Sequence, residues 1–334
     1  MKFAFFELEG WETEYLKKRF GKTFDASYST EHLDETNSDN YKDVEGIGVF
    51  IYSQINKKIL DKLPNLRFIT TMSTGFDHID ITECKKRNIQ VSNVPFYGEN
   101  TVAEHTFSLI LSLSRKIPQS VERTKKEDFS YDGLRGFDLK GKTLGVIGTG
   151  HIGRHVIRMA KGFEMKILAL DAFPDIKAAK KMGFEYAKNL KELLQNSDII
   201  TLHAPYNKKT HHLINSKNIK SIKKGALLVN TARGGLIETK ALLEGLNRGI
   251  LSGVGLDVLE EEIMVKEEKQ LLSKNFSKKK LKTALEDHIL IHDDRVIITP
   301  HNAFNSEEAL KRILDTTVEN IEGFANKKTV DLVS

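Results

Sequence analysis

TLGVIGTGHIGRHVIRMAKGFEMKILALD, residues 143–171, opens as an apolar run, turns through glycines, continues with helical spacing, and closes as a second apolar run ending in an acid. Such order reads as strand, tight turn, helix, strand. Three glycines alone are a weak signal, but Gly148, Gly150 and Gly153 follow the run TLGVIG directly and open the helical segment. In that context the first permits a sharp turn, the second lets a diphosphate approach the backbone, and the third lets helix and strand pack closely. The amides of His151 and Ile152 would then face the phosphates at the helix N-terminus. Asp171 stands 18 residues beyond Gly153, at the end of MKILALD. A carboxylate there accepts hydrogen bonds from an adenosine ribose and repels a 2′-phosphate, which predicts NAD rather than NADP.

Working outward, the same alternation continues to the C-terminal side: IKAAKKM, DIITLHAP, ALLVNTARGG, SGVGLDVLE and VIITPHNAF. Each apolar run ends in residues suited to loops, and open α/β sheets bind ligands at those carboxyl ends. On the N-terminal side KFAFFE, GIGVFIY, RFITTMS and IQVSNVP alternate with WETEYLKKRF, INKKILDKL and ITECKKRN. These read as buried parallel strands joined by crossover helices. Between the two series NTVAEHTFSLILSLSRK, residues 100–116, is apolar on most faces, as in a long buried helix at a junction or subunit interface. The charged stretch from Ile263 to Asp294 reads as a helical excursion outside the sheet, and SEEALKRILDTTVENIEGFANKK as an amphipathic helix returning to the first unit.

A chain of 334 residues is about two domains long and needs no staples. One cysteine, Cys84, forms no internal disulfide and no Cys/His cluster suggests a metal, so a reducing, cytoplasmic setting is expected. Glu7 and Glu9 interrupt the first apolar run before a signal-peptide core forms, and no run approaches membrane-span length. The net charge of +5 is a small excess over a mixed surface of 51 basic and 46 acidic residues. Nucleic acid is therefore not an expected partner, and the basic run Lys278 to Lys282 reads as a solvated helical face.

Reduction of a keto acid needs a cation for the carboxylate, a proton donor for the carbonyl oxygen and control of that donor. Arg233 leaves a buried run through glycines and offers a planar fork to a carboxylate. His301 follows another strand end and titrates near neutrality. An acid in GLDVLEEE could hold the other imidazole nitrogen, but Glu260, Glu261 and Glu262 are consecutive and spacing alone leaves the choice open.

The segments TGFDHID, NVPFYGENTVAEH, LGVIGTGHIG, LHAP, NTARGG, GLDVLEEE and TPHNAF together resemble the D-isomer-specific 2-hydroxyacid dehydrogenases, in that family's order and over nearly the whole chain. The resemblance implies two doubly wound α/β domains, with a Rossmann NAD domain (100–302) inserted in a flavodoxin-like substrate domain (1–99 and 303–334). It also implies a closing cleft and a homodimer. It selects Glu262, five residues after Asp257, to partner His301 as acid/base, with Arg233 on the substrate carboxylate. Asp257 then meets the nicotinamide carboxamide, while His203, Ala204 and Pro205 of LHAP and Thr231 and Ala232 of NTARGG belong to the cofactor site. The backbone at Thr74 and Gly75 helps hold the substrate carboxylate.

Within the family the chain resembles the D-lactate dehydrogenase branch, where Tyr52, Tyr97 and Phe304 occupy positions that line the substrate pocket. The long stretch after Glu262 points the same way. Pyruvate and D-lactate are the implied pair. Two departures bear on substrate: Met72 stands where relatives often carry Arg, and Asn305 where lactate enzymes often carry an aromatic. A roomier, more polar pocket would admit an acid other than pyruvate, and a hydroxypyruvate or glyoxylate reductase of the same family is the second enzyme reading. An NAD-sensing corepressor-like protein is the alternative from another class.

Overall fold

The computed structural model describes residues 1–21, 23–260, 278–328 and 331–333. Glu262, and residues 263–277 of the charged stretch, lie outside them. The chain forms two compact units, Met1–Tyr97 with Asn305–Ser334, and Gly98–Phe304.

In the first unit the strands are β1 (Lys2–Phe5), β2 (Asp25–Tyr28), β3 (Gly46–Val49), β4 (Phe68–Thr71) and β5 (Gln90–Ser92). They form one parallel sheet in the order β2-β1-β3-β4-β5, the flavodoxin-like winding. Every residue of β3 and β4 is buried, because helices cover both faces of a parallel sheet. The crossovers are α1 (Gly10–Phe20), α2 (Lys57–Lys62) and α3 (Ile81–Lys86); Asn56 and Asp80 cap the last two with side-chain acceptors. β2 has no apolar run to announce it: DASY alternates exposed and half-buried residues at the sheet edge. The terminal helix, Glu307–Ala325, packs in this unit, stacking Phe324 on Phe68 at 4.5 Å between ring centroids. Cys84 is buried, and burial pushes its thiol pKa up to about 11, so it is an inert core residue.

In the second unit, α4 (Glu99–Arg115) and α5 (Ile117–Lys125) precede β6 (Thr143–Ile147), α6 (His151–Gly162), β7 (Lys166–Leu170), α7 (Ile176–Met182), β8 (Glu185–Tyr186), α8 (Leu190–Asn196) and β9 (Ile199–Leu202). β10 (Ala226–Asn230), α9 (Thr239–Asn247), β11 (Leu251–Leu256), α10 (Lys278–Ile291) and β12 (Val296–Ile298) follow. The parallel sheet runs β12-β11-β10-β9-β6-β7-β8, so the winding reverses beside β6, where doubly wound sheets bind their ligands. One core lies under α4 and α6, built on Phe107, Ile110, Val146 and Ile157, and the other lies under α8 and α9, built on Leu193, Leu242, Leu246 and Leu228.

The helical reading of the charged stretch holds in α10, over the residues described. This helix is the crossover from β11 to β12, packs on α9 and β12, and buries Ala284, Asp287 and Leu290. Leu285 and Ile289 face outward while a carboxylate, Asp287, takes a core position with Oδ1 3.1 Å from the Thr239 hydroxyl oxygen. Among the described residues, no helix is long and apolar enough to cross a membrane.

Candidate active site

The turn after β6 has the shape its glycines require. Gly148 adopts φ +97°, and a Cβ there would stand 2.6 Å from the His203 carbonyl and the Ala204 amide of the loop leaving β9. A Cβ on Gly153 would stand 2.0 Å from the Gly148 oxygen, whereas one on Gly150 would meet nothing within 4 Å. His151 and Ile152 are the first residues of α6, whose early N–H groups have no carbonyl partner within the helix. Asp171 ends β7 and accepts from the Thr149 N–H at 2.6 Å, the Thr149 hydroxyl at 2.8 Å and the Phe173 N–H at 2.9 Å. Partial burial pushes its pKa up, but those donors outweigh burial and hold it below the ordinary carboxylate value. The Thr149 hydroxyl gives its proton to Asp171, so the Tyr186 phenol donates to Thr149 at 2.8 Å. Arg154 is taken up by the Thr149 carbonyl and Asp175.

His203 is held by its backbone N–H, 2.7 Å from the Ile147 oxygen, and by its Nε2, 2.9 Å from the Thr201 hydroxyl. Burial drives its pKa down to about 3, so the imidazole is neutral at physiological pH. Ala204 and Pro205 continue this loop. Across the sheet, Thr231 leaves β10 and bonds to Thr106 of α4 at 2.9 Å; Thr106 spends its own proton on the Val102 oxygen, so Thr231 is the donor.

Arg233 sits two residues further on, partly exposed, its Nη1 donating to the Ala232 oxygen at 2.8 Å. Asn230 organises the turn, accepting from the Ala232 N–H and donating to the Arg233 oxygen. A Cβ at Gly234 would stand 1.9 Å from the Leu259 oxygen, so this glycine lets the Arg233 turn lie directly on the segment leaving β11.

That segment begins at Asp257, buried to 1% exposure. Its carboxylate accepts from the Thr299 hydroxyl, the Asn302 N–H at 3.0 Å and the Ala303 N–H at 2.9 Å. Burial raises its pKa, but these donors and His105 outweigh burial and keep it below the ordinary value. His301 lies inside this braced turn at φ +54°, a left-handed conformation for a residue with a side chain. Glu260 is already committed: Oε1 is 2.6 Å from His212 Nε2, and Oε2 accepts from the Thr239 N–H and hydroxyl at 3.0 Å. His212 is therefore a structural partner of Glu260.

In the first unit, Thr74 and Gly75 follow β4. The Thr74 hydroxyl donates to the Val94 oxygen at 2.8 Å, and the Thr74 carbonyl accepts from Asn93 at 2.8 Å. Tyr52 is 39% exposed, and its N–H donates to Glu7 at 2.9 Å. The same carboxylate accepts from the Phe50 and Ser53 amides. Arg312 donates to the Tyr97 oxygen at 2.6 Å. Phe304 closes the second unit. Sequence reasoning missed Glu7, Asn93, His105 and Thr299 as supports of these positions. Glu7 alone carried a signal, a charge interrupting an apolar run.

Residues 107–303 match the family described as "D-isomer specific 2-hydroxyacid dehydrogenase, NAD binding domain". The chain belongs to this family. D-lactate dehydrogenase of Escherichia coli K12 is 32% identical over 98% of both chains. The aromatic 2-oxoacid reductase of Clostridium sporogenes is 37% identical over 86% of this chain and 85% of that one. Among solved structures, the D-lactate dehydrogenase from Aquifex aeolicus complexed with NAD and lactic acid superposes with a TM-score of 0.87 at 37% identity, over 97% of this chain and 96% of that chain. This D-2-hydroxyacid dehydrogenase is an NAD-dependent oxidoreductase of the D-lactate dehydrogenase-like branch. Its residues fit that cofactor: the space beside Gly150 is open where a diphosphate needs room, and Asp171 is kept ionised where a ribose needs an acceptor.

Proposed function

We propose that the chain interconverts a small 2-keto acid and its D-2-hydroxy acid, with pyruvate and D-lactate the first pair, using Arg233 for the carboxylate and His301 as acid/base. The observation that carries this reading is the placement of Arg233, Asp257 and His301 at the carboxyl ends of the adjacent strands β10, β11 and β12, in the same sheet as the Gly148 turn. When bound, NADH supplies the hydride that reduces the carbonyl carbon. The guanidinium of Arg233 orients the keto acid through its carboxylate, which is a point of binding common to the whole substrate class. His301 then gives its proton to the carbonyl oxygen, and the left-handed turn fixes where that proton is presented. Glu262 is assigned to the other imidazole nitrogen. The commitment of Glu260 to His212 and Thr239 supports that choice, since it takes one of three neighbouring acids out of contention. On the same reading the amides of His151 and Ile152, with His203, Ala204, Pro205, Thr231, Ala232 and Asp257, serve the cofactor. Tyr52, Thr74, Gly75 and Tyr97, with Phe304 of the second unit, serve the substrate; the first four make Met1–Tyr97 with Asn305–Ser334 the substrate-binding unit. We assign it a cytoplasmic location, on the inert single cysteine, and a homodimeric state, on the family resemblance.

The test is kcat/KM across pyruvate, hydroxypyruvate, glyoxylate, a branched keto acid and an aromatic one. Pyruvate should lead. Met72 and Asn305 leave the acid open, hydroxypyruvate or glyoxylate is the second reading, and a lead for either replaces the first. His301→Ala should lower turnover by about 10²- to 10⁴-fold with NADH binding little changed. Near-normal turnover removes His301 from the mechanism.

A further inference from the structure

His105 lies within α4, partly buried, on a helix that buries Ala103, Phe107, Leu109 and Ile110 together with the Thr106 hydroxyl. Its Nε2 is 3.0 Å from the Thr299 hydroxyl and 3.5 Å from Asp257 Oδ1. A proton inventory fixes the direction of these bonds. The Thr299 hydroxyl has one proton, and the ionised Asp257 carboxylate can only accept, so that proton goes to Asp257. The same oxygen must then accept from His105, which requires the proton on Nε2. Asp257 in turn accepts the N–H groups of Asn302 and Ala303, the two residues that follow His301. His301 sits at φ +54°, which costs about 1–2 kcal/mol for a residue bearing a β-carbon. Such a turn persists only where its surroundings hold it.

We propose that His105 is a positioning residue for the reaction, its Nε2–H acting through Thr299 and Asp257 to fix the turn from which His301 delivers its proton. The proposal rests on the reading of His301 as acid/base. It gives a histidine of the helix a function that composition and motif do not assign. A hydrocarbon at position 105 would take away the Nε2–H that Thr299 accepts and free the turn to relax. A reacting atom misplaced by about 1 Å can cost about 10²-fold in rate, so small relaxation suffices.

The test compares H105L, which keeps bulk and removes the N–H, with H105Q, whose amide can still donate. Turnover is measured with NADH and pyruvate, or with the keto acid the wild type reduces fastest, alongside NADH affinity by fluorescence and thermal midpoint. H105L should lose about tenfold or more in kcat with NADH affinity within about twofold, and H105Q should recover to within about threefold of wild type. A kcat for H105L within about twofold of wild type, or H105Q as slow as H105L, overturns the proposal. Should H105L fail to fold, T299S and T299A carry the same contrast, hydroxyl kept against hydroxyl lost, and equal turnover overturns it. H301A is run in parallel. Near-normal turnover there sinks the acid/base reading, whereas loss in H301A with none in H105L sinks only the role of His105.

Discussion

Gly150 and Gly153 belong to one turn yet should fail in different ways when given a methyl group. At Gly150 a Cβ meets nothing within 4 Å, and the residue's φ of −66° suits any amino acid. Exchanging a glycine N-cap for alanine costs about 0.5–1 kcal/mol, and stiffening the unfolded chain returns about 0.4–1 kcal/mol. The cofactor-free G150A protein should therefore melt within a few degrees of wild type. On the proposed reading the diphosphate lies in that open space, and each charge-assisted bond displaced there is worth about 1.5–3 kcal/mol, so NADH affinity should fall by about 10- to 100-fold. At Gly153 the Cβ stands 2.0 Å from the Gly148 oxygen, where contacts under 3.0 Å essentially never occur, so helix and turn must part by at least 1 Å. Overpacking of that kind costs about 1–3 kcal/mol, or about 2–12 °C in a unit of this size. G153A should therefore lose both stability and affinity. Calorimetry of the cofactor-free proteins and fluorescence titration with NADH separate the two. Wild-type affinity in G150A would refute the cofactor reading of the open space, and a wild-type midpoint in G153A would refute the packing argument.

Other consequences concern charge. His203 titrates near 3 when folded and near 6.5 when unfolded, so the unfolded chain binds the extra proton between those values and stability declines as pH falls through that window. The loss should reach about 2 kcal/mol by pH 5, and H203N should remove it; urea melts at pH 7.5 and pH 5 with parallel losses in both proteins would show the burial argument to be wrong. If Asp171 serves the ribose as proposed, replacing it by Ser deletes the charge that repels a 2′-phosphate, and the NADPH-to-NADH affinity ratio should rise by about tenfold or more. An unmoved ratio would place the discrimination elsewhere. Asp257→Asn leaves one acceptor oxygen for the Thr299, Asn302 and Ala303 donors and turns an N–H group against one of them, so turnover should fall by about 10²-fold. Retention of wild-type kcat would mean that Asp257 does not hold the His301 turn.

Much of this architecture is legible in the chain because parallel strands buried on both faces must be apolar without interruption, as ALLVN at β10 and IITL at β9 are. Where a strand has less to bury the signal fails. β2 and the two-residue β8 lie at the sheet edges, and neither DASY nor EY differs from loop sequence. Within α10 the helix is legible but its buried face is less so, since a carboxylate, Asp287, occupies a core position that pattern reading reserves for a hydrocarbon.

The candidate site divides along the same line. Glycines and strand ends announce Gly148, Asp171, Arg233 and His301, because backbone geometry limits which residues can stand there. Their supports are invisible, because a hydrogen-bond network spans distant sequence: His105 meets Thr299 across 194 residues, and Glu7 meets Tyr52 across 45. The three acids after Leu259 make the point most sharply. Spacing leaves them equivalent, yet folding gives Glu260 a histidine at 2.6 Å and the start of α9 at 3.0 Å. An acid bound at both oxygens is poorly placed to serve a catalytic imidazole as well. The structural demand on the first acid thus narrows the functional choice among its neighbours, and that demand arises only once β10, α9 and β11 have been brought together.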